Sequence, residues 1–153
     1  MLSESCQRFL DEAYREAELG LAEGGIPIGA VLVLDREIIA RGRNKRVQEN
    51  SMIKHGETDC IENTARAFSP AQLQRSTLYT TLSPCFMCAG TVLLFGIPRV
   101  VIGENQTFQQ SEAWLRSQGC ELSVANDPKC ITLMQNFIQQ HPCLWHEDIG
   151  LSN

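Results

Sequence analysis

No run of about 18 consecutive apolar residues occurs in this 153-residue chain, so nothing in it reads as a transmembrane helix. The opening Met1-Leu2-Ser3-Glu4-Ser5-Cys6 has no basic region followed by an apolar stretch, so no secretory signal is expected and the cytoplasm is the default compartment. Positive charge is also short. Thirteen Lys and Arg against 18 Asp and Glu give a net charge of -5, a balance that argues against a nucleic-acid substrate, which needs clustered cations. The one basic cluster, Arg41-Gly42-Arg43-Asn44-Lys45-Arg46, reads as a solvated turn rather than a phosphate track. Regular cysteine spacing is missing too: Cys6, Cys60, Cys120, Cys130 and Cys143 form no pattern, and the total of seven is odd. A disulfide framework is therefore not expected. There is no internal repeat, low-complexity tract or linker, and with 43% hydrophobic and 20% charged residues the chain reads as a single folded domain over 1–153.

What is present is a succession of short periodic segments. Phe9, Leu10, Ala13, Ala17 and Leu21 recur at helical spacing, predicting an amphipathic helix over 5–23 that ends at Gly24-Gly25. Ile28 to Leu34 and Glu37 to Ala40 read as strands joined by a turn at Asp35-Arg36. Residues 44–54 are polar and irregular, a helix is expected from His55 to about Ala67, and a strand from Thr77 to Leu82 leads through Ser83-Pro84 into a helix from Cys85 to about Phe95. Strands at Arg99 to Gly103 and Glu121 to Val124, with helices over 109–118 and 128–140, complete the alternation. The fold class is α/β: a three-layer α/β/α sandwich around a mixed sheet of about five strands. The tail from Pro142 to Gly150 reads as a docked helix, in which Trp145 by composition is a core plug and Asp148 a solvated carboxylate.

The chemistry is concentrated in His55-Gly56-Glu57 and Pro84-Cys85-Phe86-Met87-Cys88. One imidazole and two thiolates, the latter three residues apart on one helical face, make a three-ligand zinc site; the fourth tetrahedral position is left for water, whose pKa zinc lowers to about 7. Glu57, two residues from the histidine and not needed as a ligand, is free to move protons. A structural zinc site would close with a fourth Cys or His, and His141 and His146 lie far away without paired spacing. Packing alone would also account for an isolated C-x-x-C, since free cysteine is commonly buried. The combined H-x-E and P-C-x-x-C pattern is the one found in zinc-dependent nucleobase deaminases.

Beyond that motif the chain resembles the fungal-type cytosine deaminases of the cytidine deaminase-like fold. The resemblance runs through Glu23-Gly24-Gly25-Ile26-Pro27-Ile28-Gly29, Gly42-Arg43-Asn44, the segment Thr77 to Cys85, Gly96-Ile97-Pro98-Arg99, Gly103-Glu104-Asn105 and the tail Trp145 to Gly150. It implies hydrolysis of free cytosine to uracil and ammonia, as in pyrimidine salvage, with one Zn2+ per chain held by His55, Cys85 and Cys88 and with Glu57 as the proton shuttle. It further implies that Asn44 and the backbone at Gly56 bind the carbonyl side of the ring, that Asp148 accepts from the exocyclic amine, that Phe108 and Trp145 wall the ring, and that Ile28 and Leu82 line the pocket. A homodimer paired through helices beside the zinc sites belongs to the same implication, with a small nucleobase and neither nucleic acid nor membrane as partner.

Two departures from the family pattern predict a pocket of altered shape. Val47 replaces a pocket phenylalanine, and Met52-Ile53-Lys54 replaces a smaller, neutral run. Loss of an aromatic face forfeits roughly 1 to 3 kcal/mol of stacking, which opens isocytosine or a related cyclic amidine as an alternative substrate, with Phe86 a candidate to refill the space. The rival readings are a tRNA adenosine or guanine deaminase, which shares the zinc motif, and a non-catalytic zinc module, against which Glu57 argues.

Overall fold

A computed structural model describes residues 1–153. Its first helix, α1 (Glu4–Ala22), starts where Ser3 caps the Cys6 amide at 3.3 Å, and it buries Cys6, Phe9, Leu10, Ala13 and Ala17 along one stripe. The hairpin of β1 (Gly29–Leu34) and β2 (Glu37–Arg43) turns at Asp35 and Arg36, whose φ values of 51° and 65° match the twist a two-residue hairpin requires. β2 runs three residues past its expected end because Arg41 and Arg43 sit on an edge strand and pair with Glu12, Glu16 and Glu23 of the α1 region. Those arginines are therefore not a solvated turn.

After an irregular segment come α2 (Gly56–Glu62), the short α3 (Pro70–Leu73), β3 (Thr77–Leu82), α4 (Phe86–Leu94), β4 (Arg99–Glu104), α5 (Glu112–Ser117), β5 (Glu121–Val124), α6 (Pro128–Gln140) and α7 (Pro142–Asp148). Two helices are shorter than their sequence periodicity suggests. α2 stops at Glu62 because the next residues turn back, with Ala65 at φ 50° and the Thr64 hydroxyl on the Ile61 carbonyl. α5 starts only at Glu112 because Gln110 and Ser111 are bonded elsewhere, to the Phe86 amide and the Pro84 carbonyl. α3, capped by Ser69 with Pro70 in its first turn, was not expected.

The sheet order is β2-β1-β3-β4-β5, antiparallel from β2 to β3 and parallel from β3 to β5. The parallel pairs need crossovers, which α4 and α5 supply. One face of the sheet packs Leu32, Leu78, Val100 and Ile102 against Ile61 of α2, Val92 of α4 and Leu115 of α5; the other packs Val31, Tyr79 and Val101 against Phe9 and Leu10 of α1. The sequence-expected three layers are present. A third cluster, Ile26, Ile28, Leu82, Met134, Phe137 and Trp145, joins α6 and α7 to one end of the sheet.

Two glycines let the layers approach. A Cβ on Gly29 would lie 2.3 Å from the Ala13 carbonyl oxygen of α1, and one on Gly42 would lie 2.2 Å from the Cys60 nitrogen of α2. The second contact, with a 3.0 Å bond from the Arg43 amide to Asp59, sets α2 against β2 and so places its N-terminal residues.

Candidate active site

Two of the three ligand residues occupy equivalent places. His55 and Cys85 are the extended N-cap residues of α2 and α4, with ψ near 170° and 174°, so each side chain is delivered at the start of a helix rather than from its flank. Cys88 follows on the first turn of α4. The His55 amide donates to the Thr58 hydroxyl at 2.9 Å, which fixes the entry to α2. A ring nitrogen of His55 and the Sγ atoms of Cys85 and Cys88 fall within 4.8 Å of one another.

The donor set fits zinc. Zinc bonds of about 2.0 Å to nitrogen and 2.3 Å to sulfur, at tetrahedral angles, put N and S roughly 3.5 Å apart, and His55 Nδ1 lies 3.5 Å from Cys85 Sγ. Nδ1 is therefore the ligand atom. The other ring nitrogen, Nε2, faces Asp148 Oδ1 at 3.3 Å, the carboxylate–histidine pairing that commonly orients a metal-binding imidazole. Hydrogen bonding from Cys88 and the neighbourhood of His55, against the opposing effect of burial, hold the Cys85 thiol down to about 4, a thiolate at neutral pH.

Glu57 is buried beside these ligands, and its Oε1 has no hydrogen-bond partner. Burial, reinforced by the Cys85 charge, pushes its carboxyl up to about 7. A buried carboxylate oxygen without a partner is costly unless a reactant or water completes it. Glu57 lines a small pocket of about 20 Å³ with His55, Ser83, Cys85 and Asp148 as its other polar lining. The apolar lining is Ile28, Leu82, Phe108, Trp145 and Ile149, with Phe108 and Trp145 edge-to-face at 5.7 Å.

Of the residues singled out from the sequence, His55, Glu57, Cys85, Ile28, Leu82, Phe108, Trp145 and Asp148 line this pocket. Asn44 is fully buried behind it, its Nδ2 donating to Asp148 Oδ2 at 3.0 Å. Gly56 packs on Ile28: a Cβ there would come within 3.0 Å of the Ile28 carbonyl oxygen. Asp148 is not solvated. Burial raises its carboxyl, but bonds from His55, Arg46 and Asn44 outweigh that and hold it below the ordinary value.

Val47 does not line this pocket, but Met52 and Ile53 line, with Phe86, a groove of about 330 Å³ that shares His55, Cys85, Asp148 and Ile149 with it. Val47, 43% exposed, lines an outer groove of about 390 Å³ with Met52 and Leu144, and Phe86 lies on the surface against Trp114. Phe86 is not part of the pocket beside Glu57 and lines the neighbouring outer groove. The sequence reading missed Ser83 and Ile149, whose neighbours in the chain were its only signal, and it missed Arg46, whose Nε donates to Asp148 Oδ1 at 2.7 Å.

Residues 3–104 match the family model described as the cytidine and deoxycytidylate deaminase zinc-binding region. The chain belongs to that zinc-dependent deaminase family. It is 44% identical over 143 residues to a cytosine deaminase of Candida albicans, covering 92% of this chain and 94% of the relative. A tRNA-specific adenosine deaminase of Bacillus subtilis is 44% identical over 95 residues, or 62% of this chain and 59% of that protein. Among solved structures, a tRNA:A34 deaminase that carries out A-to-I editing at the wobble position of transfer RNA superposes with a TM-score of 0.67 at 30% identity, over 78% of this chain and 98% of the other. The family membership makes the chain a hydrolase acting on a cyclic amidine with zinc as cofactor, and the expected fold class stands.

Proposed function

We propose that this deaminase converts free cytosine and water to uracil and ammonia. The observation that carries the reading is the pocket lining: the α7 residues Trp145 and Asp148, outside the region of the family model, border a space of about 20 Å³ beside His55, Glu57 and Cys85. A concave site walled by Phe108 and Trp145 suits a single ring, whereas a polynucleotide substrate needs an open face on which its backbone can lie. The near full-length similarity to a cytosine deaminase supports the same substrate, since the tRNA deaminase match covers a smaller share of the chain.

His55, Cys85 and Cys88 would hold the zinc, which would supply a water activated as nucleophile at neutral pH. Glu57 takes a proton from the attacking water and delivers it to ring N3 as C4 is attacked, then takes the second proton from the C4 hydroxyl of the adduct and gives it to the amine, so that the C4–N bond breaks with formation of the C4 carbonyl and ammonia; its partnerless Oε1 supports this role. Asp148 offers only acceptors to the exocyclic amine. Asn44 has a second Nδ2 hydrogen left, beyond the one given to Asp148, for the ring carbonyl. Phe108 and Trp145 wall the ring and exclude water, which strengthens each polar contact. Isocytosine, turned over about its N3–C6 axis, offers the same carbonyl–N3–amine edge and differs in the exchange of N1 and C5, so it is the alternative substrate to assay beside cytosine.

We further infer a cytoplasmic single-domain enzyme that pairs with a second copy. Ile53 and Leu94, 61% and 77% exposed, lie with Phe95 on the α2 and α4 side of the sheet and form an apolar surface that a second copy would cover. Ammonia release from free cytosine, run beside isocytosine and an anticodon-stem RNA hairpin, tests the substrate. Turnover of the hairpin without turnover of either free base would refute it.

A further inference from the structure

The polar end of the pocket is assembled from three segments that do not touch in sequence: Asp148 meets Asn44, Arg46 and His55, and Arg46 contacts two of these residues, Asp148 and Asn44. Its side chain is 13% exposed, and its Nε donates to Asp148 Oδ1 at 2.7 Å. Its main-chain N–H donates to the Asn44 side-chain oxygen Oδ1 at 3.0 Å. Arg46 does not line the small pocket beside Glu57; it borders the outer groove of about 330 Å³ that reaches His55, Cys85 and Asp148 from the other side. It is therefore placed to act through other residues and not on the ring.

The consequences follow from counting donors and acceptors. An amide presents an oxygen at one end and an NH2 at the other, and the two ends can exchange by a flip. With Oδ1 of Asn44 held by the Arg46 amide, Nδ2 must point to Asp148. A carboxylate has about four lone-pair positions. In Asp148, Arg46 and His55 approach Oδ1 and Asn44 approaches Oδ2, leaving one position open for an incoming N–H. The guanidinium also fixes the rotation of the carboxylate about its own bond, because the 2.7 Å contact is the shortest of the three.

We propose that Arg46 is the positioning residue that sets the donor and acceptor polarity of this pocket, its amide orienting Asn44 toward a ring carbonyl and its guanidinium orienting Asp148 toward an exocyclic amine. The inference rests on the free-aminopyrimidine reading above and deepens it. It separates the two contacts chemically. The Asn44 contact uses the backbone of Arg46 and survives any side-chain substitution, whereas the Asp148 contact does not. Loss of the guanidinium should then weaken recognition of the amine and spare recognition of the carbonyl.

A mere staple between the irregular segment and α7 would behave otherwise. Its loss would loosen the closure by Trp145 and Phe108 and weaken every ligand alike. Pyrimidin-2-one, which keeps the carbonyl and lacks the amine, distinguishes the two.

The experiment compares the parent with R46M, which keeps the stem and removes the head, and with R46K and R46Q, which guard against a fold failure in R46M. Zinc content and melting temperature are recorded for each. The expected result is a fall in kcat/KM for cytosine of about 10- to 100-fold in R46M, the size associated with losing a hydrogen bond to a buried charged group. Inhibition by pyrimidin-2-one should stay within about threefold of the parent, zinc at one per chain, and R46K should recover part of the activity. Activity of R46M within threefold of the parent, an equal loss of pyrimidin-2-one binding, or no advantage of R46K over R46M and R46Q would each overturn the inference while leaving the substrate assignment intact. A parent inactive on cytosine would overturn that assignment, and this inference with it.

Discussion

Asn44 Nδ2 and Asp148 Oδ2, 104 positions apart, are joined by a buried 3.0 Å hydrogen bond that ties the segment after β2 to the last turn of α7. The bond brings a donor and an acceptor to one edge of the pocket. Under the proposed reaction, Asp148→Ala removes the acceptor for the amine and also leaves Arg46, His55 and Asn44 without their shared partner. Unsatisfied buried groups cost about 1 to 3 kcal/mol each, so kcat/KM for cytosine is expected to fall by at least 100-fold. Steady-state kinetics at neutral pH check this, and a fall of less than tenfold would remove Asp148 from the substrate site.

Glu57→Gln keeps the shape of the side chain and loses its ability to carry a proton. Zinc should remain at one per chain by elemental analysis, while turnover drops by about 10²- to 10⁴-fold, the contribution general acid–base catalysis makes. Retained zinc with turnover within tenfold of the parent would contradict the role.

Gly42 tests how the sheet places the ligands. A Cβ there would sit 2.2 Å from Cys60 N and 2.5 Å from Cys60 Cα, backbone atoms that cannot swing aside. Gly42→Ala should push α2 outward, costing about 1 to 3 kcal/mol of stability by overpacking, and loosen zinc because His55 begins that helix. Thermal melting and zinc retention against a chelator measure both effects, and parental values for both would show that α2 is not seated by this contact.

Much of this was legible because it is local. β3 and β5 coincide with their expected ranges, and α6 does too, since Asp127 caps it at the point where Pro128 can begin a helix. The zinc set was legible for the same reason: His55 with Glu57, and Cys85 with Cys88, are each placed by one helix start. What the sequence hid depends on pairings across the chain. Arg41 and Arg43 look like loop residues until the carboxylates of Glu12, Glu16 and Glu23 face them, and Arg46 looks solvated until α7 folds over it. The importance given to Val47 failed for the reverse reason, because its side chain points away from the ring site into the outer groove.

Thiol accessibility offers a check on the core. Cys143 is exposed, whereas Cys6, Cys60, Cys120 and Cys130 are buried, and burial pushes the Cys130 thiol up to about 12. A thiol reagent applied to the zinc-loaded protein should therefore label one cysteine per chain quickly and release no zinc, and Cys143→Ser should abolish that fast phase. Rapid labelling of two or more thiols before unfolding would contradict the packing described.

The central claim is a single zinc site that deaminates free cytosine, and zinc titration tests it most directly. Protein stripped of metal is reconstituted with zinc in fractional steps, and ammonia release from cytosine is followed at each step. The account predicts negligible activity without zinc and a linear rise that levels off at one zinc per chain, with Cys88→Ala failing to respond. Cytosine turnover that persists in fully stripped protein, or none at one zinc per chain, would contradict it.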